Sequence, residues 1–228
     1  MRSGALALLL LAACGPAGED NGAVDFVLAR SDRAAPLATL RLASGGNDCT
    51  ARWNGEAVTR EQVLDRGVAA VERAIASVGG VQNITEETIP VLWVEAPSGL
   101  RFACLRSMLD MIERAGVPRI ALMSLGDARG PAFADFPISD TGTDTASYIV
   151  NIGPDGAPRW NGEAIDVAGL RTRARSIAER GAPAAPGEVA VVPDGSATFA
   201  SLYEALLALG EAGVSPMLST PSQPPPPP

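Results

Sequence analysis

One six-residue phrase occurs twice in this chain without a change: Arg52-Trp53-Asn54-Gly55-Glu56-Ala57 and Arg159-Trp160-Asn161-Gly162-Glu163-Ala164. Two of the 3 Trp residues lie in these copies, so coincidence is a poor explanation. A second correspondence follows each phrase, Glu113-Arg114-Ala115-Gly116-Val117 against Glu211-Ala212-Gly213-Val214. Two copies at this spacing indicate a duplicated domain, because a solenoid needs shorter and more numerous repeats. Whatever fold this chain adopts must be one that can be built twice.

Both copies give the same succession of patterns. Thr39–Leu42 and Tyr148–Ile152 are short β-prone runs that lead into turn-rich Gly45-Gly46-Asn47-Asp48 and Gly153-Pro154-Asp155-Gly156. A return strand ends at Arg-Trp, where Asn-Gly makes the next turn. Thr59 and Gln62 then form a capping box, and Leu64, Val68, Val71, Ile75 and Val78 predict one apolar helix face. Leu170, Ala174 and Ile177 repeat that stripe in the second copy. The apolar runs 91–94 and 189–192 read as buried central strands. Leu105, Met108, Leu109 and Ile112 match Leu202, Ala205, Leu206 and Leu209 in a second helix, closed by Gly116 or Gly213 at a left-handed C-terminus. A last strand follows at 120–123 and 216–218. The expected class is therefore α+β: two tandem β-β-α-β-α-β domains, each a small mixed sheet with two helices on one face.

The flanking segments read as an address and connectors. Residues 1–13 carry one Arg and an apolar run from Ala5 to Leu11, a lipoprotein signal peptide too short to span a bilayer. Leu11-Ala12-Ala13-Cys14 looks like a bacterial lipobox, so Cys14 is the expected lipidation site. Acyl chains hold at about 0.8 kcal/mol per buried CH₂, so two or three anchor stably. Gly15 after the Cys favours the outer membrane. Residues 14–36 form a tether in which Phe26-Val27-Leu28 could dock, 37–125 the first domain, 126–146 a linker, 147–220 the second domain and 221–228 a proline-rich tail.

Composition removes most catalytic chemistry. All 18 cationic side chains are Arg and there are 0 His, so neither a Ser-His-Asp triad nor a lysine Schiff base can be assembled. A formal charge of −8 argues against nucleic-acid binding. Carboxylates are the remaining acid–base groups; Glu86-Glu87 and Asp140/Asp144 read as solvated loop charge, and no calcium loop is present. The reading is non-enzymatic, with no cofactor and no metal. Cys49 and Cys104 are left as an even pair in an oxidising compartment, a candidate disulfide. Copy two has Gly156 and Ser201 at those positions. Trp53 and Trp160 either pack under the sheet edge or present a platform for carbohydrate or peptide.

The second copy resembles the periplasmic domain of the ExbD/TolR biopolymer transport family. The resemblance lies in Ile149-Val150-Asn151-Ile152, Asp155-Gly156, Trp160-Asn161-Gly162-Glu163, Leu170, Val189-Ala190-Val191-Val192-Pro193-Asp194, Phe199, Leu202 and Ala212-Gly213-Val214. The first copy is a more divergent version. Family members carry a transmembrane helix with a proton-responsive Asp; here a lipobox stands in its place. The resemblance therefore implies extracytoplasmic contacts rather than channel activity, and the duplication implies an intrachain pseudo-dimer. Expected partners are ExbB/TolQ-, TonB- or Pal-like envelope proteins or peptidoglycan, with Trp53, Trp160 and Asp194 as candidate contacts and strand addition as the mode. Asp194 could equally cap the helix near Ser196. The alternative is an accessory subunit of a proton-driven ExbB/ExbD-type complex whose membrane helix a partner supplies.

Overall fold

The computed structural model describes residues 36–45, 48–136, 146–180 and 188–219. Cys14, the signal peptide, the tether before Pro36 and the proline tail lie outside the described residues, as do Asp140 and Asp144.

Copy one contributes β1 (Ala38–Gly45), β2 (Asp48–Trp53), β3 (Glu56–Val58), α1 (Arg60–Ser77), β4 (Val91–Ala96), α2 (Phe102–Arg114) and β5 (Arg119–Ser124). An unforeseen strand, β6 (Ala132–Asp135), follows inside the stretch expected to be a linker. Copy two contributes β7 (Tyr148–Ile152), β8 (Pro158–Trp160), β9 (Glu163–Ala164), α3 (Val167–Ala178), β10 (Val189–Pro193), α4 (Phe199–Glu211) and β11 (Met217–Leu218). The α+β class holds, but the copies do not make separate sheets. Their strands join in one sheet of 11, ordered β3-β2-β1-β4-β5-β6-β11-β10-β7-β8-β9.

That order is nearly a palindrome, and the hydrogen bonds explain why. Phe102 N–H donates to the Ala197 carbonyl and Phe199 N–H to that of Leu100, both at 2.7 Å. Ala103 N–H donates to Gly195 and Ala200 N–H to Ser98. Each bond has its mate with the copies exchanged, so the halves meet isologously about an approximate twofold axis near the Arg101–Thr198 bridge. Such an axis sets β5 and β11 antiparallel to each other. A strand between them must be antiparallel to one and parallel to the other. β6 is antiparallel to β5 and parallel to β11.

One face of the sheet carries the helices. α1 packs on α2 and α3 on α4, and α2 meets α4 across the seam. Leu92, Val94 and Ala96 of β4 point into this core, which runs without a break through Phe102, Phe199, Leu202 and Val191. The predicted capping box is present, with Gln62 N–H on Thr59 Oγ1 and Thr59 N–H on Gln62 Oε1. The buried face of α1, however, lies one residue earlier than the predicted stripe. It is Val63, Gly67 and Ala70 that are buried, while Val68 is 37 % exposed. The reason is the approach of the next segment: a Cβ at Gly67 would stand 2.7 Å from that of Ala115. Only small residues fit this contact, so Leu64 and Val71 flank it.

The repeated phrase is a turn module. Asn54 (φ 49°) and Gly55 (φ 89°), like Asn161 (φ 48°) and Gly162 (φ 87°), take the two left-handed positions of a tight hairpin turn. Asn54 Oδ1 accepts the Thr39 N–H and Asn161 Oδ1 the Ile149 N–H, tying each turn to the neighbouring strand. Glu56 pairs with Arg66 and Glu163 with Arg173, fastening each turn to its helix.

Candidate binding cleft

The predicted contact residues do not converge. Trp53 and Trp160 belong to opposite halves of the sheet and are 4 % and 5 % exposed. Tyr148 covers the ring of Trp160 at 5.2 Å, and the Arg180 guanidinium sits over Tyr148 in turn. Both indoles are core packing and offer no open ring face for stacking. Asp194 is exposed beside the seam, and its Oδ1 accepts from Ser196 N–H (2.8 Å) and Ser196 Oγ (2.5 Å). Those bonds hold its pKa below the ordinary carboxylate value. The carboxylate closes a turn; the helix cap itself is Thr198. Cys49 and Cys104 are joined, with Cα atoms 5.5 Å apart. Among the described residues, no group of three or more Cys, Asp or Glu is placed to hold a metal.

The structure draws attention instead to the place where β6 and β11 diverge. Asp135 and Met217 are their only register pair, held by Asp135 N–H on the Pro216 carbonyl at 3.0 Å. Beyond it, β6 and the turn 213–216 separate around a partly open cleft whose cavity volume is about 60 Å³. Leu206, Leu207 and Gly210 of α4 wall it from the helical side. Val91, Trp93 and Phe133 wall it from the helix-free side.

The cleft exposes a strand edge. In an antiparallel pair, successive residues direct their backbone polar groups alternately toward and away from the partner. Phe136 N–H bonds the Pro118 carbonyl on the β5 side, whereas Asp135 N–H bonds Pro216 on the other. Phe133, two residues from Asp135, therefore aims its N–H and C=O into the cleft. No backbone carbonyl among the described residues meets that N–H. Phe133 is half-buried, and this edge can hydrogen-bond a strand laid along it.

Arg119 braces the floor. It is 8 % exposed, and its guanidinium grips Asp135 with Nε on Oδ1 (2.5 Å) and Nη2 on Oδ2 (3.1 Å), while Nη1 reaches Glu86 (3.0 Å). Burial alone would lower its pKa, but Asp135 and then Glu86 raise it on balance. Glu86, read from sequence as loop charge, is thus a strut from copy one's longer segment onto the seam. At the other end Arg129 binds Asp127 and Glu204 and lies 5.4 Å over Tyr203, whose hydroxyl donates to the Gly130 carbonyl at 2.6 Å. This clasp ties the entry to β6 onto α4.

The sheet's outer edges are poorer docking places. β3 and β9 are three and two residues long and carry the exposed Glu56 and Glu163, the devices by which proteins blunt an edge. Sequence reasoning missed the inner edge because Pro131–Phe136 sits within a Gly- and Asp-rich stretch. The signal was there: Ala132, Ala134 and Phe136 alternate with Phe133 and Asp135 at the strand period.

No family model, curated protein or solved structure matches this chain.

Proposed function

We propose that this protein is a non-enzymatic envelope lipoprotein that binds an extended segment of an envelope partner by strand addition to β6. The observation that carries the reading is the Phe133 backbone edge, directed into a cleft walled by apolar side chains on both sheet faces. A strand docked there gains main-chain hydrogen bonds for affinity and side-chain contacts with Leu206, Leu207 and Trp93 for selectivity. No helix among the described residues is long and apolar enough to cross a membrane. Membrane attachment in this reading rests on the lipobox at Cys14. The ExbD/TolR resemblance supplies the partner class: ExbB/TolQ-, TonB- or Pal-like proteins, or peptide stems of the wall.

The test is a photoreactive benzoylphenylalanine placed at Phe133 of the full chain in its host cells, with Glu72 on α1 as the comparison position. Irradiation at 133 is expected to yield a discrete adduct with an envelope protein or muropeptide, identified by mass spectrometry, and the Glu72 position none. Equal labelling at both positions, or no intermolecular adduct at 133, would contradict the reading.

A further inference from the structure

We infer that residues 24–30 of this chain are an internal occupant of the same cleft, docking as a strand on β6 and competing with the partner. The inference rests on the strand-docking reading above and concerns its regulation.

Where the described chain begins is the first argument. Leu37 N–H bonds the Val91 carbonyl at 2.8 Å, and Val91 lines the cleft. The chain therefore enters the body beside β4, whose Val91 lines the cleft and which lies two strands from β6. Only Ser31–Pro36 separate Arg30 from Leu37, and six extended residues reach about 20 Å. That is enough to bring the preceding residues back along β6.

Composition is the second. The segment reads Val24-Asp25-Phe26-Val27-Leu28-Ala29-Arg30. Its centre is apolar at consecutive positions, the pattern of a strand covered on both faces. The cleft offers both covers: Leu206 and Leu207 on one side, Trp93 and Phe133 on the other.

The other segments outside the described residues are chemically unsuited. The tail ends in five prolines, which have no N–H to give a ladder. Residues 138–145, Ser-Asp-Thr-Gly-Thr-Asp-Thr-Ala, would place polar groups against Leu206 and Trp93. A docked tether would leave only 15–23 between Cys14 and the body, holding the protein close to its membrane until a partner strand displaces 24–30.

Hydrogen exchange read by mass spectrometry on the full mature chain, with Cys14→Ser for solubility, tests this without any partner. In the parent, peptides covering 24–30 and 131–136 are expected to exchange slowly. In Phe26→Asp/Leu28→Asp both should exchange at least ten times faster, while peptides from β4 and β10 stay unchanged. Identical exchange in the two proteins would overturn the inference and leave the partner reading intact. Tether protection combined with no intermolecular adduct at Phe133, even in the double variant, would remove the partner reading and leave the tether in place.

Discussion

At the scale of single residues, the charged groups that matter are few and are grouped around β6. Asp127 shows the physics most plainly. Hydrogen bonds from the Arg129 side chain and backbone bring its pKa from 3.8 to about 2. A carboxyl with a depressed folded-state pKa contributes stability above its unfolded value and loses it as pH falls through the folded one. The clasp should therefore weaken between about pH 4 and 2, and Asp127→Asn should flatten that part of the stability profile. Urea midpoints measured at pH 5 and pH 2.5 would show it: the parent should lose more than the variant. Tyr203 needs no such window, since burial raises its pKa and its hydroxyl stays a donor to Gly130. The two tryptophans teach a different lesson. Sequence allowed either packing under the sheet edge or a ligand platform, and the rings are buried: the phrase repeats because both hairpins need the same left-handed turn and the same buried ring.

Elements were legible wherever local chemistry decided them. The Thr59–Gln62 box, the turns at Gly116 (φ 75°) and Gly213 (φ 82°) and the second-helix stripes could all be read from spacing. What could not be read was decided at a distance. The face of α1 was set by Ala115 across the helix pair, and β6 became a strand because two antiparallel edges needed filling. The disulfide lies between these cases. Cys49 stands in β2 opposite Ser44. In copy two the register is kept, Val150 facing Trp160 as Leu40 faces Trp53, but the hairpin between them is three residues shorter, and the equivalent Gly156 falls in a turn with φ 79°. A Cβ there would lie 3.2 Å from that of Ser201, so the two pairs of positions correspond in space, but the left-handed backbone disfavours a Cys. Closing a loop of 55 residues is worth about 4 kcal/mol in the chain-entropy account. Reduction, or Cys49→Ser/Cys104→Ser, should lower stability by that order in a denaturant titration; a loss below about 1 kcal/mol would mean that the bond adds little.

For the whole molecule, the duplication matters less as two domains than as two halves of one sheet. The reciprocal bonds at the seam, the shared core around Phe102 and Phe199, and the strand taken from between the copies bind the halves into one body. The same construction leaves a strand edge open at the molecular centre, where the proposed partner and the tether would meet. A shared core has a thermodynamic signature. Phe199 is fully buried in copy two, and Phe199→Ala should cost about 3–5 kcal/mol. The decisive measurement is hydrogen exchange in increasing denaturant, followed separately at β4 (Leu92–Val94) and β10 (Val189–Val191), in the parent and in Phe199→Ala. If the copies are one cooperative body, both strands open at the same denaturant concentration and both shift downward together in the variant. A shift confined to β10, with β4 unmoved, would show two independent domains and contradict the account.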